Sequence, residues 1–169
     1  MRIFIAIDIP QDVKERIYDL QKRYYKKGYS LNKDIHITLR FLGELELNQV
    51  NDLISKLKEI SFKKFRVDIS GVGFFRRRGM ITSVYLLIYS KEILNLKVCV
   101  DNFINLKYDK ELPFKTHITL FRFKKLSMND YNMEIDYKDS FFVGSFSLIE
   151  SKMVNGFREY AILETFKLL

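Results

Sequence analysis

A chain of 169 residues, 47% of them hydrophobic, falls in the size range of one domain and can fill a true core, which excludes a predominantly disordered protein. Lysine and arginine outnumber aspartate and glutamate by 29 to 21, and the formal net charge of +8 favours encounter with polyanions without separating nucleic acid from a simple solubility device. No run approaches the roughly 18 apolar residues of a membrane span, the opening Met1 to Asp8 lacks the apolar length of a signal peptide, and the single Cys99 excludes both an intrachain disulfide and a cysteine-rich metal site. These features predict a cytoplasmic monomer, one domain over residues 1–169, with no membrane partner.

Arg2 to Ile9 alternates, with Ile3, Ile5 and Ile7 on one side, and reads as a strand. Pro10 suits the first turn of a helix that runs to about Tyr25 on the stripe Val13, Ile17, Leu20 and Tyr24, with Gly28 as a stop. A second strand is predicted from Ile35 to Leu42 and a second helix on Val50, Leu53, Ile54, Leu57 and Ile60. Phe65, Val67 and Ile69 alternate as a third strand, after which Gly71, Gly73 and the basic turn Arg76-Arg77-Arg78-Gly79 lead into a strand from Thr82 to Tyr89. Ser90 is placed to cap a third helix on Ile93, Leu96, Lys97, Val100, Phe103 and Ile104, and Phe114 to Phe123 returns to strand after Pro113. Lys124 to Asp139 reads as loop, and two final strands, Ser140 to Met153 and Phe157 to Leu169, flank the hairpin signal Asn155-Gly156.

The chain also repeats itself. Shifting the first strand–helix–strand unit by 81 residues, the separation of His36 and His117, lays Ile3 on Val84, Ile5 on Leu86, Ile7 on Ile88, Val13 on Leu94 and Ile17 on Val98. The same shift lays Ile35-His36-Ile37-Thr38-Leu39 on Thr116-His117-Ile118-Thr119-Leu120. No linker rich in proline, glycine or serine separates the halves, so two lobes of one domain are expected.

The only two histidines thus share one tetrapeptide, His-Ile-Thr-Leu. On a strand, residues i and i+2 project from one face, which places His36 beside Thr38 and His117 beside Thr119, with Ile35, Ile37, Leu39 and Phe41 on the apolar side. Two imidazole–hydroxyl pairs facing a shared cleft suit in-line displacement at a phosphodiester. One histidine can act as base and the other as acid near neutral pH, while the hydroxyls hold non-bridging oxygens. A metal site is the other reading of paired histidines, but zinc takes three or four ligands, and neither motif has an acidic residue or cysteine at ligand spacing on its cleft face. Strand parity makes Arg40 a substrate-binding candidate on the face of His36, whereas Arg122 lies on the face opposite His117 unless the strand carries a bulge.

These motifs, with Phe41-Leu42-Gly43-Glu44 and the opening Arg2-Ile3-Phe4-Ile5-Ala6-Ile7-Asp8, resemble the two-histidine phosphoesterases, and among them the RNA 2′,3′-cyclic phosphodiesterases, also called 2′-5′ RNA ligases. The likeness extends through Gly71-Val72-Gly73-Phe74, Arg122, and a terminal hairpin carrying Leu148, Glu150-Ser151 and Tyr160. The resemblance implies an α+β, bilobal fold with two pseudo-symmetric lobes, mainly antiparallel sheets facing a central groove, and helices outside. It implies a single catalytic domain that hydrolyses RNA 2′,3′-cyclic phosphate ends to 2′-phosphate ends without metal or cofactor, with 2′-5′ ligation as the reverse. His117 would activate water, His36 would protonate the departing 3′ oxygen, Thr38 and Thr119 would hold phosphoryl oxygens, and Arg122 would lie near the phosphate. The chain departs from the family in having Thr116 where proline often precedes the second histidine. Activity on 2′-5′ oligonucleotides or small cyclic nucleotides, or a non-catalytic module that binds RNA ends, remain alternatives.

Overall fold

In the computed structural model, which describes residues 1–104, 114–126, 134–155 and 157–169, the first repeat forms β1 (Arg2–Ile7), α1 (Gln11–Tyr24), a two-residue strand β2 (Ser30–Leu31) and β3 (Ile37–Glu44). Helix α2 (Leu47–Lys58) leads to β4 (Phe65–Arg77), and the second repeat follows as β5 (Met80–Tyr89), α3 (Lys91–Phe103) and β6 (His117–Leu126). Three strands close the chain: β7 (Lys138–Val143), β8 (Ser145–Val154) and β9 (Phe157–Lys167). The fold class is α+β. One antiparallel sheet has the order β3-β1-β8-β9 and the other β2-β6-β5-β4-β7.

The repeat is visible in this topology, because β3-β1 in the first sheet corresponds to β6-β5 in the second, each pair bridged by its own helix. The helices bind the halves together. Helix α1, which leaves the first sheet, lies against β6 of the second, and α3, which leaves the second, lies against β3 of the first. Ile3, Ile5 and Ile7 from β1, Val84, Leu86 and Ile88 from β5, and the stripes of all three helices therefore share one apolar core. Phe4, Ala6 and Ile149 form a second, smaller cluster on the opposite face of the first sheet, packed against Tyr160. The predicted helical stripes hold, since Val13, Ile17, Leu20, Val50, Leu53, Leu57, Ile93, Leu96, Lys97 and Val100 are all buried.

The structure departs from the sequence reading in several places, most with a local cause. Strand β4 does not end at the glycines but runs from Phe65 to Arg77, because Gly71, at φ +81°, forms a bulge that absorbs one extra residue between the Ile69–Ile88 and Val72–Leu86 pairs. Its hairpin to β5 turns on Arg78-Gly79, both at positive φ, the backbone a tight two-residue connection requires. The predicted strand from Ser140 to Met153 is two strands. Buried positions switch phase from Phe141 and Val143 to Phe146 and Leu148, and at Gly144 the chain passes from β4's sheet to β1's. Strand β6 continues to Leu126, where it pairs with Ile81, and so extends into residues expected as loop. Ser90 precedes α3, but its hydroxyl donates to Glu92 rather than to the helix backbone. The terminal hairpin forms, with Asn155 at φ 51° and Val154 paired to Phe157; Pro113 and Gly156 lie outside the described residues.

Candidate active site

Each histidine stands where the last strand of its repeat begins, and each is held in the same way. The His117 Nδ1–H donates to the Lys115 carbonyl at 2.7 Å, and the His36 ring donates to the carbonyl of Asp34, again two residues upstream. A carbonyl can only accept, so the neutral His117 ring carries its proton on Nδ1 and presents an unprotonated Nε2. Aromatic rings fix the imidazole planes. His36 packs on Phe4 at 5.2 Å and edge-on to Tyr160 at 5.6 Å; His117 packs on Tyr85 at 5.1 Å and edge-on to Phe75 at 4.8 Å. Phe4 and Tyr85 are related by the same 81-residue shift as the histidines.

The Tyr85 ring reaches this position only because residue 73 is glycine. A Cβ there would lie 2.5 Å from Cζ of Tyr85, so the tyrosine ring crosses the bare backbone of β4 to support His117. Lys115 Nζ stands 5.2 Å from the same ring and adds a cation–π contact.

His36, Thr38, His117, Thr119 and Arg122 line one cavity of about 190 Å³ between the two sheets, together with Asn32, Phe41 and, toward one end, Arg2, Ser151 and Arg158. Arg122 enters through the bulge that parity alone cannot show. Val84 pairs with Phe121 and Tyr85 with Thr119, so Leu120 is an extra residue, and beyond it Arg122 shares the face of Thr119. The first motif has the same device. Ile5 pairs with Arg40 and Ala6 with Thr38, so Leu39 is the extra residue and the side chains that follow it change face.

That inversion corrects two expectations. Phe41 turns to the groove, where it is 68% exposed and touches Phe4, instead of joining the core. Arg40 turns away from His36 toward α3, where its Nε lies 3.8 Å from Asp101, itself bonded to the buried Lys97 at 2.6 Å. Arg40 therefore belongs to the packing of α3 on β3 and not to the cleft.

Sequence reasoning missed Asn32 and Gln21. The Asn32 side-chain amide donates to the carbonyls of Asp34 and Thr119, both at 3.0 Å, and so ties the residue that orients His36 to the second motif. Gln21 donates to the carbonyls of Asn32 and Leu120, which satisfies the bulge at Leu120 from α1. Gln21 left one legible trace, a polar residue on the apolar stripe of α1; Asn32 left none.

Burial pushes the His36 pKa down from 6.5 to about 4, and the charges of Arg122, His117 and Lys14 push the same way against the Asp34 carbonyl. Burial also lowers His117, with Arg122 and Lys115 acting in the same direction. The cleft thus holds two neutral imidazoles at neutral pH beside an arginine. Both threonines, both histidines and the arginine line this one cavity. Among the described residues, no three His, Cys, Asp or Glu side chains are grouped to hold a metal ion, and no helix is long and apolar enough to cross a membrane.

The comparisons with known proteins point the same way. A family model described as LigT like Phosphoesterase matches residues 7–85, which includes the first motif. RNA 2′,3′-cyclic phosphodiesterase of Methanocaldococcus jannaschii is 28% identical over 127 residues, 73% of this chain and 72% of that one. The Archaeoglobus fulgidus protein of the same name is 29% identical over 132 residues, 74% of each chain. The chain is thus similar to LigT-like phosphoesterases through its first motif and to proteins named RNA 2′,3′-cyclic phosphodiesterase over about three quarters of its length. The fold is likewise similar: E. coli LigT, solved with 3′-AMP, superposes with a TM-score of 0.82 at 23% identity, covering 99% of this chain and 97% of that one. A Thermus thermophilus protein gives 0.78 at 22% identity, with 99% and 97% covered.

Proposed function

We propose that this chain is a LigT-like phosphoesterase that opens RNA 2′,3′-cyclic phosphate ends to 2′-phosphates, without a metal ion, using His117 as base and His36 as acid. The observation that carries the reading is the convergence of both His-x-Thr pairs and Arg122 on one cavity between the two sheets. Curated relatives named RNA 2′,3′-cyclic phosphodiesterase supply the substrate class.

In this mechanism His117 Nε2 takes a proton from water as its oxygen attacks phosphorus. The P–O3′ bond breaks, and His36 delivers a proton to the leaving 3′ oxygen. Thr38, Thr119 and Arg122 donate to the non-bridging oxygens, whose charge grows in the transition state. His36 must be protonated for its role, and its pKa in the free protein is about 4. A bound phosphodiester anion neutralises Arg122 and sets a negative charge against the ring, and both effects favour the imidazolium. A 5′-hydroxyl of a second strand in place of water, losing its proton to His117 as it attacks phosphorus while the P–O3′ bond breaks and His36 protonates the 3′ oxygen, would form a 2′-5′ linkage and so account for a ligase activity.

The test is hydrolysis of an RNA oligonucleotide ending in a 2′,3′-cyclic phosphate, with and without EDTA. The expected product carries a 2′-phosphate, EDTA has no effect, and His36→Ala and His117→Ala each lower kcat by about a hundredfold to ten-thousandfold. Full turnover in either variant, or an EDTA loss that zinc restores, overturns the mechanism.

A further inference from the structure

The cavity extends beyond the groups the chemistry uses, and its extension is cationic. Arg2 and Arg158 line its far end together with Ser151, and among the described residues neither guanidinium is engaged by a carboxylate. Two acids beside Arg2 in the register have other partners: Glu44, opposite Arg2 on β3, lies 3.5 Å from the amino terminus, and Glu150, opposite Ile3 on β8, binds Lys152 at 2.9 Å.

The register fixes where this end lies. Ile3 pairs with Glu150, which brings Arg2 level with Ser151, and Ser151 pairs with Tyr160, so these three residues form one row across β1, β8 and β9. Phe4, which supports His36, stands two residues further along β1, and two residues of antiparallel strand span about 7 Å. Arg158 lies two residues from Tyr160 in the opposite sense, a further step of about 7 Å. A strand whose terminal phosphate rests between the histidines would thus bring its next phosphate to the Arg2 row, within reach of Arg158 and the Ser151 hydroxyl.

We infer that Arg2, Ser151 and Arg158 form a second phosphate subsite that binds the internal phosphodiester immediately preceding the cyclic end, and so select a polynucleotide over a cyclic mononucleotide. The inference rests on the function proposed above. Guanidinium is suited to the task, since its planar fork can donate two parallel hydrogen bonds to one phosphate.

The experiment compares kcat/KM for adenosine 2′,3′-cyclic phosphate, which has no internal phosphodiester, with that for the dinucleotide ApA ending in a 2′,3′-cyclic phosphate. The wild-type protein is expected to prefer the dinucleotide by about tenfold or more, to lose that preference as salt rises, and to lose about tenfold of it in the Arg2→Gln/Arg158→Gln double variant. An equal fall on both substrates, or an unchanged preference, overturns the subsite. Wild-type turnover of both substrates at the same rate sinks the subsite alone, whereas turnover of neither sinks the function it rests on.

Discussion

Replacing His36 with glutamine removes a titrating group from a site that resists its charge, and the consequence for stability can be worked out. In the unfolded chain the imidazole titrates near 6.5, and in the folded protein near 4. The unfolded state therefore binds more protons between those values, and stability falls as pH drops from about 6.5 through about 4. At 1.36 kcal/mol per pKa unit, a displacement of 6.5 − 4 corresponds to about 3 kcal/mol, an upper value for a ring that is not sealed from solvent. That is a large share of the roughly 5 to 15 kcal/mol that typically holds a domain together. Glutamine keeps a polar side chain in place but cannot take up the proton, so His36→Gln should lose less stability on acidification. Urea unfolding at pH 7.5 and pH 4 would measure the difference, with His117 and the carboxylates common to both proteins. The acid-induced loss should be smaller in the variant by about 2 to 3 kcal/mol at unchanged urea m-value. Parallel pH curves, within about 0.5 kcal/mol, would refute the assignment of a desolvated neutral imidazole at this position.

Two further outcomes follow from the same geometry. Gly73→Ala forces the Tyr85 ring from its position, where a Cβ would meet it at 2.5 Å, and should cost about 1 to 3 kcal/mol in urea unfolding together with a fall in kcat; unchanged values of both would show that the ring does not hold His117. Because burial lowers both histidines in the free protein, and kcat/KM reports free-enzyme ionisations, its bell-shaped pH profile should peak below pH 6.5, with the kcat profile displaced upward by the bound anion; a kcat/KM maximum above about pH 7.5 would contradict the lowered values.

The sequence exposed those parts of the fold whose determinants are local and periodic. Alternation over Ile3, Ile5 and Ile7 and three- and four-residue steps over Val13, Ile17 and Leu20 are set by the pleat and the helical turn, and both elements appear where the pattern places them. The paired His-Ile-Thr-Leu motifs could be read because the repeat supplies an internal comparison. A bulge has no such signature. Leu39 and Leu120 are ordinary strand residues, and only the registers of β1 on β3 and β5 on β6 show that each is supernumerary. Arg40 was misplaced for this reason alone, since period-two parity fails one residue past the bulge. Asn32 was invisible for a different reason: its value lies in two carbonyls, one of them 87 residues away in sequence, that only the folded chain brings to its amide.

The two bulges also show how a duplicated unit could serve the proposed reaction, whose two ends differ. The backbone device is the same in both lobes and delivers the residue three places after each threonine, Phe41 in one and Arg122 in the other, to the cleft. On the opposite face it delivers Arg40 beside Asp101 and, at the equivalent position, the fully buried Phe121. Charge and ring are thus exchanged between the faces of the two lobes while the histidines and threonines stay matched. The single cleft-facing guanidinium contributed by these bulged strands lowers the pKa of both imidazoles from one side, so the symmetry of the fold ends where the electrostatics begin. Beside the histidines a substrate anion would thus meet Arg122 from one bulged strand and Phe41 from the other, and that local difference is what the proposed division into acid and base requires.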